Sequence, residues 1–339
     1  MQSHLKKLQY AFTLCFIFSV GCFTVESKCK LVSENPLAPK HAYRCNCCSG
    51  NIAEPITEPA VESVTEPMPE LTLESAPELA SITSELESTY EFANIYAVLI
   101  SAGVAQKGVM LASEYWDDLV LQYKMLIMNG FPEENIYVLY DRGHDFDSVF
   151  WHSITNRPVT KKNIGEVFDE LSDLIKENDL LYVWWMGHGS KSDTCKLTLP
   201  ISGTTEEFTD EELSECINRV SHYKKRAIAV MTCYSEGIID NMDVEDNRTV
   251  TLTSSACQEN SYSIYSDCDD LFHAEFNYEL TNALCQQDPC GRNVPSDAIG
   301  NGDGHISLLE VHEYNTMAMM ESTPQMGDHD RISCSTHLQ

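Results

Sequence analysis

Positive charge is what this sequence has least of. Lys and Arg number 22 against 52 Asp and Glu, for a formal net charge of −30. So acidic a chain repels a phosphate backbone, which excludes nucleic acid as a partner and fits an extracellular or periplasmic solute. A membrane span is lacking as well. The apolar stretch from Tyr10 to Cys22 is too short to cross a bilayer as a helix, but with Lys6 and Lys7 before it, it has the form of a secretion signal. Two outcomes are open at its end. One is cleavage between Gly21 and Lys28. The other is a lipid anchor at Cys22, which follows Val20-Gly21 as at bacterial lipoprotein sites, although Ser19 stands where an aliphatic residue is usual. Either way the expectation is an exported protein: secreted, periplasmic or surface-anchored. No later segment is long or apolar enough to be a span.

From Asn51 to Glu91 there is no Lys or Arg at all. Glu54, Glu58, Glu62, Glu66, Glu70, Glu74 and Glu78 recur every fourth residue, interleaved with Pro55, Pro59, Pro67, Pro69 and Pro77. On a helix those glutamates would stack and repel, and the prolines would break it. The stretch is expected to be a disordered acidic spacer. The domain expectation is therefore a signal over 1–22, a cysteine-rich segment over 23–50, the spacer over 51–91 and one folded domain over 92–339. Cys29, Cys45, Cys47 and Cys48 point to disulfides rather than a metal, since only His41 lies near enough to suggest a zinc ligand. Cys195, Cys216, Cys257, Cys268, Cys285, Cys290 and Cys334 allow more disulfides in the domain, with their pairing open. Asn247-Arg248-Thr249 is a glycosylation sequon, meaningful only in a eukaryotic source.

Within the domain, strand and helix signals alternate. Strands are expected at 94–101, 135–140, 180–186, 197–201, 227–231 and 250–253. Helices are expected at 111–129, 162–177, 209–220, 271–285 and 307–320, with Thr209 and Glu212 forming a capping box. Such alternation predicts an α/β three-layer sandwich with a mostly parallel sheet.

Two apolar runs stand out. Leu180-Leu181-Tyr182-Val183-Trp184-Trp185-Met186 stops at Gly187-His188-Gly189-Ser190, and Ala227-Ile228-Ala229-Val230-Met231 stops at Thr232-Cys233-Tyr234. Unbroken apolar runs suit strands buried on both faces of a parallel sheet, and chemistry collects at the carboxyl ends of such strands. A histidine and a cysteine so placed have the makings of a catalytic pair. Taken singly, His188 is a turn histidine and Cys233 a small buried hydrophobe.

The pattern of an apolar strand then His-Gly, and an apolar strand then a small residue and Cys, resembles the legumain-type (C13) cysteine peptidases of the caspase-like clan, with the shorter microbial relatives nearest. Tyr115-Trp116-Asp117-Asp118, Asn129-Gly130, the 134–140 run, the 251–256 run and Asn260-Ser261-Tyr262 carry the resemblance further. It covers roughly residues 93 to 328 and implies a caspase-like α/β/α fold acting on a peptide or protein substrate. It also implies Cys233 as nucleophile, His188 as general acid and base, and the backbone N–H groups of Gly189 and Cys233 as the oxyanion donors. The family's asparagine near the end of the first strand has no counterpart in Ser101-Ala102-Gly103-Val104.

Relatives that cut after asparagine pair Arg-His on the first helix with a glutamate two residues before the cysteine. Those positions are Glu114-Tyr115 and Met231 here. The implied pocket is acidic, with Glu114 opposite Asp269 or Asp270 and Ser261 on its wall, and it would favour Lys or Arg before the scissile bond.

Near the end, Asn301, Asp303 and Glu310 sit at calcium-loop spacing, but Ile299 occupies the first ligand position. A glycine-rich turn capping a helix from Ser307 is the better fit, and no cofactor is expected. Three classes remain open: an exported cysteine endopeptidase, a catalytically inactive binding module on the same fold, and a disulfide-bonded surface protein. A transpeptidase would use the same dyad. The oligomeric state is not legible.

Overall fold

In the computed structural model, residues 91–191, 195–242, 248–329 and 331–338 are described. The apolar N-terminal stretch with Cys22, the cysteines from 29 to 48, the acidic spacer and Asn247 of the sequon lie outside these residues.

The chain builds a six-stranded sheet with helices on both faces. In chain order the elements are β1 (Ile95–Ser101), α1 (Met110–Met128), β2 (Ile136–Tyr140), α2 (Lys161–Leu174), β3 (Leu180–Met186), β4 (Ser190–Lys191), β5 (Leu197–Pro200), β6 (Glu207–Thr209), α3 (Asp210–Ile217) and β7 (Lys225–Met231). There follow α4 (Ile239–Met242), β8 (Thr249–Thr253), β9 (Ser263–Ser266), β10 (Leu271–Ala274), α5 (Glu275–Cys285), α6 (Ser296–Ile299), α7 (Leu308–Ala318) and β11 (Gln325–Gly327). The main sheet runs β11-β8-β7-β3-β1-β2. Its pairings are parallel except β11 against β8.

β3 lies at the centre and all seven of its residues are buried. Leu180, Tyr182, Trp184 and Met186 face one core, with Leu119 and Leu126 of α1 and Phe276, Leu280 and Leu284 of α5. Leu181, Val183 and Trp185 face the other, with Val167, Phe168 and Leu171 of α2 and Leu213 and Ile217 of α3. Period-two side chains burying both faces are what a covered parallel sheet requires. The α/β sandwich expected from the sequence is the one observed.

The first core also holds a polar seam. Tyr182 donates to Gln122 Oε1 at 3.0 Å, while Gln122 Nε2 donates to Asn277 Oδ1 at 2.7 Å and Thr281 Oγ1 at 2.9 Å. Trp184 Nε1 also donates to Asn277 Oδ1, at 3.1 Å. The seam ties α1 and α5 to the central strand through a chain of buried hydrogen bonds centred on Gln122 and Asn277 Oδ1.

The expectation of a helix over 271–285 needs correcting. Its first four residues are strand β10, paired antiparallel with β9, and only Glu275–Cys285 is helical. The run Leu271-Phe272-His273-Ala274 is short, and periodicity over four residues does not separate strand from helix. The pairing partner, β9, lies on a segment the sequence did not mark. The short run at 197–201 forms β5 of a separate three-stranded sheet, not a strand of the main one. The Thr209–Glu212 capping box forms as expected.

Candidate active site

β3 and β7 are neighbours, with Met186 opposite Met231, so the loops that leave them emerge side by side. Gly187 N–H donates to the Met231 carbonyl at 3.2 Å, which carries the pairing one residue past β3. The two turns then touch. A Cβ on Gly189 would stand 2.1 Å from the Cys233 carbonyl oxygen and 2.9 Å from Thr232 Oγ1, so only glycine fits. The sequence placed His188 and Cys233 one strand apart, and the structure brings Gly189, the residue after the histidine, against the Cys233 carbonyl. Among the described residues, neither the Gly189 nor the Cys233 N–H donates to a backbone carbonyl.

The cysteine turn is held from behind. Thr232 O accepts from Ser254 Oγ at 3.1 Å and from Ser255 Oγ at 3.0 Å, and Tyr234 N–H donates to Glu259 O at 2.8 Å. Tyr234 takes a left-handed conformation with φ of 62°, which turns the chain sharply after Cys233. The chain then forms a 3-10 turn over Ser235–Ile238 and the single turn α4. Cys195 and Cys257 form a disulfide that joins the segment before β5 to the loop after β8. A Cβ on Gly237 would meet the Cys195 carbonyl at 2.4 Å, so this bridge packs against the cysteine turn. Cys268 pairs with Cys290, while Cys216, Cys233 and Cys285 carry free thiols.

Cys233 is half-buried and His188 exposed. No hydrogen bond joins them among the described residues. The thiol faces the Ser261 carbonyl at 3.8 Å, so Ser261 reaches the site through its backbone. The imidazole is met by Tyr115, whose hydroxyl lies 3.1 Å from Nε2. The two rings meet edge-on with centroids 5.5 Å apart. Burial first, then the charges of Glu114 and Cys233, push the Tyr115 phenol far up, so it keeps its proton.

Tyr115 is the residue the sequence did not single out as functional. It holds its place through two features at the end of β1. Ser101 Oγ donates to the Tyr115 carbonyl at 2.8 Å, and Gly103 leaves room for the ring, since a Cβ there would stand 2.0 Å from Tyr115 Cδ1. A glycine at a strand end facing an aromatic residue on the next helix is the signal that could have found it.

Residues 94–289, more than half of the chain, match the model of the Peptidase C13 family. The chain belongs to that family. The Peptidase C13 family is one of cysteine peptidases, and the histidine and cysteine turns both lie in the matched region. Among solved structures, caspase-1 from Spodoptera frugiperda is similar at 10% identity and a TM-score of 0.43, over 70% of this chain and 87% of that one. No curated protein matches the chain.

In this Peptidase C13 chain the acidic pocket does not assemble as expected. Asp270 sits in the tight turn between β9 and β10 with φ of 68° and accepts from the Tyr265 hydroxyl. Ser263, at the opposite end of that hairpin, is the residue that donates to Glu114. Asp269 is engaged by His273 Nε2 at 3.0 Å, while His273 Nδ1 meets Asp118 Oδ1 at 2.6 Å. Burial alone would lower the His273 pKa, but its hydrogen bonds to Asp118 and Asp269 raise it to about 10. Both aspartates near the expected pocket therefore serve the hairpin. A four-residue strand carries its two ends apart by roughly 10 Å or more, and sequence spacing did not show which end would face the helix.

Glu114 lines a cleft of about 570 Å³ with Tyr115, Asp141, Arg142, His188 and Ser202. Desolvation pushes its carboxyl up to about 7, against a bond from Ser263.

The calcium-spaced residues lie in a turn before α7 and in its first turn. Glu310 Oε1 accepts from Asn301 N–H at 2.9 Å, and Oε2 accepts from the Ser307 N–H and hydroxyl, both at 2.9 Å. Ser307 and Glu310 make a capping box on α7. With both carboxylate oxygens committed to the backbone and cap, the helix-capping reading accounts for this loop.

Proposed function

We propose that the chain is an exported cysteine endopeptidase working through Cys233 and His188. The observation that carries this is the contact at Gly189, where the histidine turn lies against the carbonyl of the cysteine at adjacent strand ends. The apolar stretch behind Lys6 and Lys7 and the disulfides within the domain support export.

In this reading the Cys233 thiolate adds to the scissile carbonyl carbon, and the carbonyl oxygen becomes an oxyanion facing the N–H groups of Gly189 and Cys233. The tetrahedral adduct collapses, the C–N bond breaks, and His188 delivers a proton to the leaving amine. Water then attacks the thioester, giving up its proton to His188, and the carboxylic acid leaves as the thiolate is regenerated. Tyr115 is a positioning residue. Its hydroxyl accepts from the Nε2–H and so leaves Nδ1 as the nitrogen that takes up and gives back the proton, the role a second hydrogen bond plays in setting a histidine tautomer. It fills the place left by the asparagine missing from the end of β1.

One feature favours a second reading, the binding module: the imidazole bonds Tyr115 and the thiol bonds Ser261, not each other. Labelling the folded mature protein with a broad peptidyl electrophile, with mass mapping, decides between them. Stoichiometric adduct at Cys233, reduced in His188→Ala, is the expected result. A folded protein with reduced Cys233 and no adduct would leave the binding module.

A further inference from the structure

The histidine turn runs into a hairpin, and that hairpin is fastened to the cysteine turn by a disulfide. Directly after Gly189, β4 pairs with β5, with Ser190 opposite Thr198 and Lys191 opposite Leu197. Cys195 stands two residues before Leu197. The hairpin meets the cysteine turn at two places. At one, Gly189 lies against the Cys233 carbonyl. At the other, the Cys195 carbonyl and Leu197 Cβ close on Gly237, where an added Cβ would stand 2.4 and 3.2 Å from them.

The second half of the disulfide belongs to the segment behind Cys233. Cys257 N–H donates to Glu236 Oε2 at 2.7 Å, and Glu236 N–H donates to the Ser255 carbonyl at 3.0 Å. With the bond from Tyr234 N–H to the Glu259 carbonyl, the turn after Cys233 is hydrogen-bonded along the 255–259 segment. The Cys195–Cys257 bridge therefore joins the histidine hairpin to the backing of the cysteine turn. Both of its cysteines are partly exposed, and exposed bridges are the ones open to exchange with an outside thiol. The other bridge, Cys268–Cys290, joins the β9–β10 turn to the loop after α5 and carries no residue of either catalytic turn.

We propose that the Cys195–Cys257 bridge is a redox switch on the active site. Closed, it holds the histidine hairpin against the cysteine turn; opened by a dithiol, it releases the hairpin and lowers turnover. The proposal rests on the peptidase reading and adds its regulation. In the exchange, a thiolate of the dithiol attacks one sulfur of the bridge, forming a mixed disulfide and expelling the other cysteine as a thiolate. The second thiol of the dithiol then closes on the first and expels the remaining cysteine. The dithiol is oxidised to its own disulfide, the protein bridge gains two electrons, and the two protons of the dithiol pass to Cys195 and Cys257.

The test equilibrates full-length mature protein across ratios of reduced to oxidised dithiothreitol. Mass mapping reads each bridge and selects samples in which Cys233 is reduced. Peptide turnover, circular dichroism and labelling by a peptidyl electrophile are read on the same samples. As the Cys195–Cys257 bridge opens, kcat should fall by about 10–100-fold, since displacing a reacting group by about 1 Å costs on the order of 10²-fold. It should return on reoxidation, with the circular dichroism unchanged throughout. Cys195→Ser/Cys257→Ser should show the low kcat at every ratio, while Cys268→Ser/Cys290→Ser should titrate like wild type.

Turnover that does not follow the bridge, a bridge that resists reduction in the native protein, or loss of the circular dichroism spectrum as it opens would overturn the proposal. So would wild-type kcat in a folded Cys195→Ser/Cys257→Ser variant. If that variant does not fold, the wild-type titration decides alone. Equal turnover with the bridge closed and open removes the switch and leaves the peptidase. No turnover and no Cys233 adduct at any ratio removes the peptidase itself.

Discussion

At the scale of single residues the site depends on three positions with different jobs, and each makes a different prediction. His188→Ala removes the acid and base, so kcat should fall by about 10²–10⁴-fold, read in a fluorogenic peptide assay. Gly189→Ala inserts a Cβ against the Cys233 carbonyl and displaces an oxyanion donor. A loss of about 10²–10³-fold in kcat is expected, with the fold intact by circular dichroism. Tyr115→Phe keeps the ring over Gly103 and removes only the hydroxyl. It should lower kcat by about 10–100-fold, the range for groups that orient a functional histidine, with little change in KM. A role limited to packing would leave both kcat and the kcat pH profile unchanged in Tyr115→Phe, and that profile is the measurement to make. His188 and Gly189 were legible because a strand and a glycine announce them. Tyr115 was not, because a tyrosine on an amphipathic helix looks like any other partly buried aromatic until the neighbouring strand end is in place.

At the scale of elements, the β9–β10 hairpin is fastened to α1 by an ionic clamp. Asp118 is fully buried, accepting from Ala274 N–H at 2.9 Å and pairing with His273. Because the folded His273 pKa of about 10 exceeds its ordinary value of 6.5, the native state holds the proton more tightly than the unfolded chain. The stabilisation is therefore complete below pH 6.5 and is lost as pH rises through about 10. Urea denaturation of wild type against His273→Gln should show a gap that narrows over that window. Near pH 6 the gap should be about 3–5 kcal/mol, the cost of leaving one buried partner unpaired. The hairpin shows why element type was only partly readable. Its strands are four residues each, and their register is dictated by the clamp and by packing on α1, both of which are long-range.

At the scale of the whole molecule, thiol reactivity should sort by environment. Burial pushes the Cys285 thiol up to about 11 and raises that of Cys216, which makes both poor nucleophiles. Cys233 is half-buried at the end of β7, so limited alkylation of the native protein should modify Cys233 ahead of the buried Cys216 and of Cys285 by peptide mapping. Equal labelling of Cys216 in folded protein would contradict the packing described for it.

Sequence alone determined the layered α/β class, the order of the main strands and the identity of the His188 and Cys233 turns. These follow from local signals: unbroken apolar runs that must be covered on both faces, and glycines where a buried strand ends. The family resemblance also set Glu114 where relatives that cut after asparagine carry a basic residue. Only the tertiary structure decided which carboxylates share the cleft, which cysteines pair and what holds the imidazole. The physical reason is the same in each case. Asp269 and Asp270 are neighbours in the chain, yet one serves His273 and the other Tyr265, because a tight turn sends adjacent side chains to different partners. Pairing of Cys195 with Cys257 joins positions 62 residues apart, and contact between Tyr115 and His188 spans 73. Such contacts are fixed by how the sheet brings its loops together, and no local pattern of residues records that.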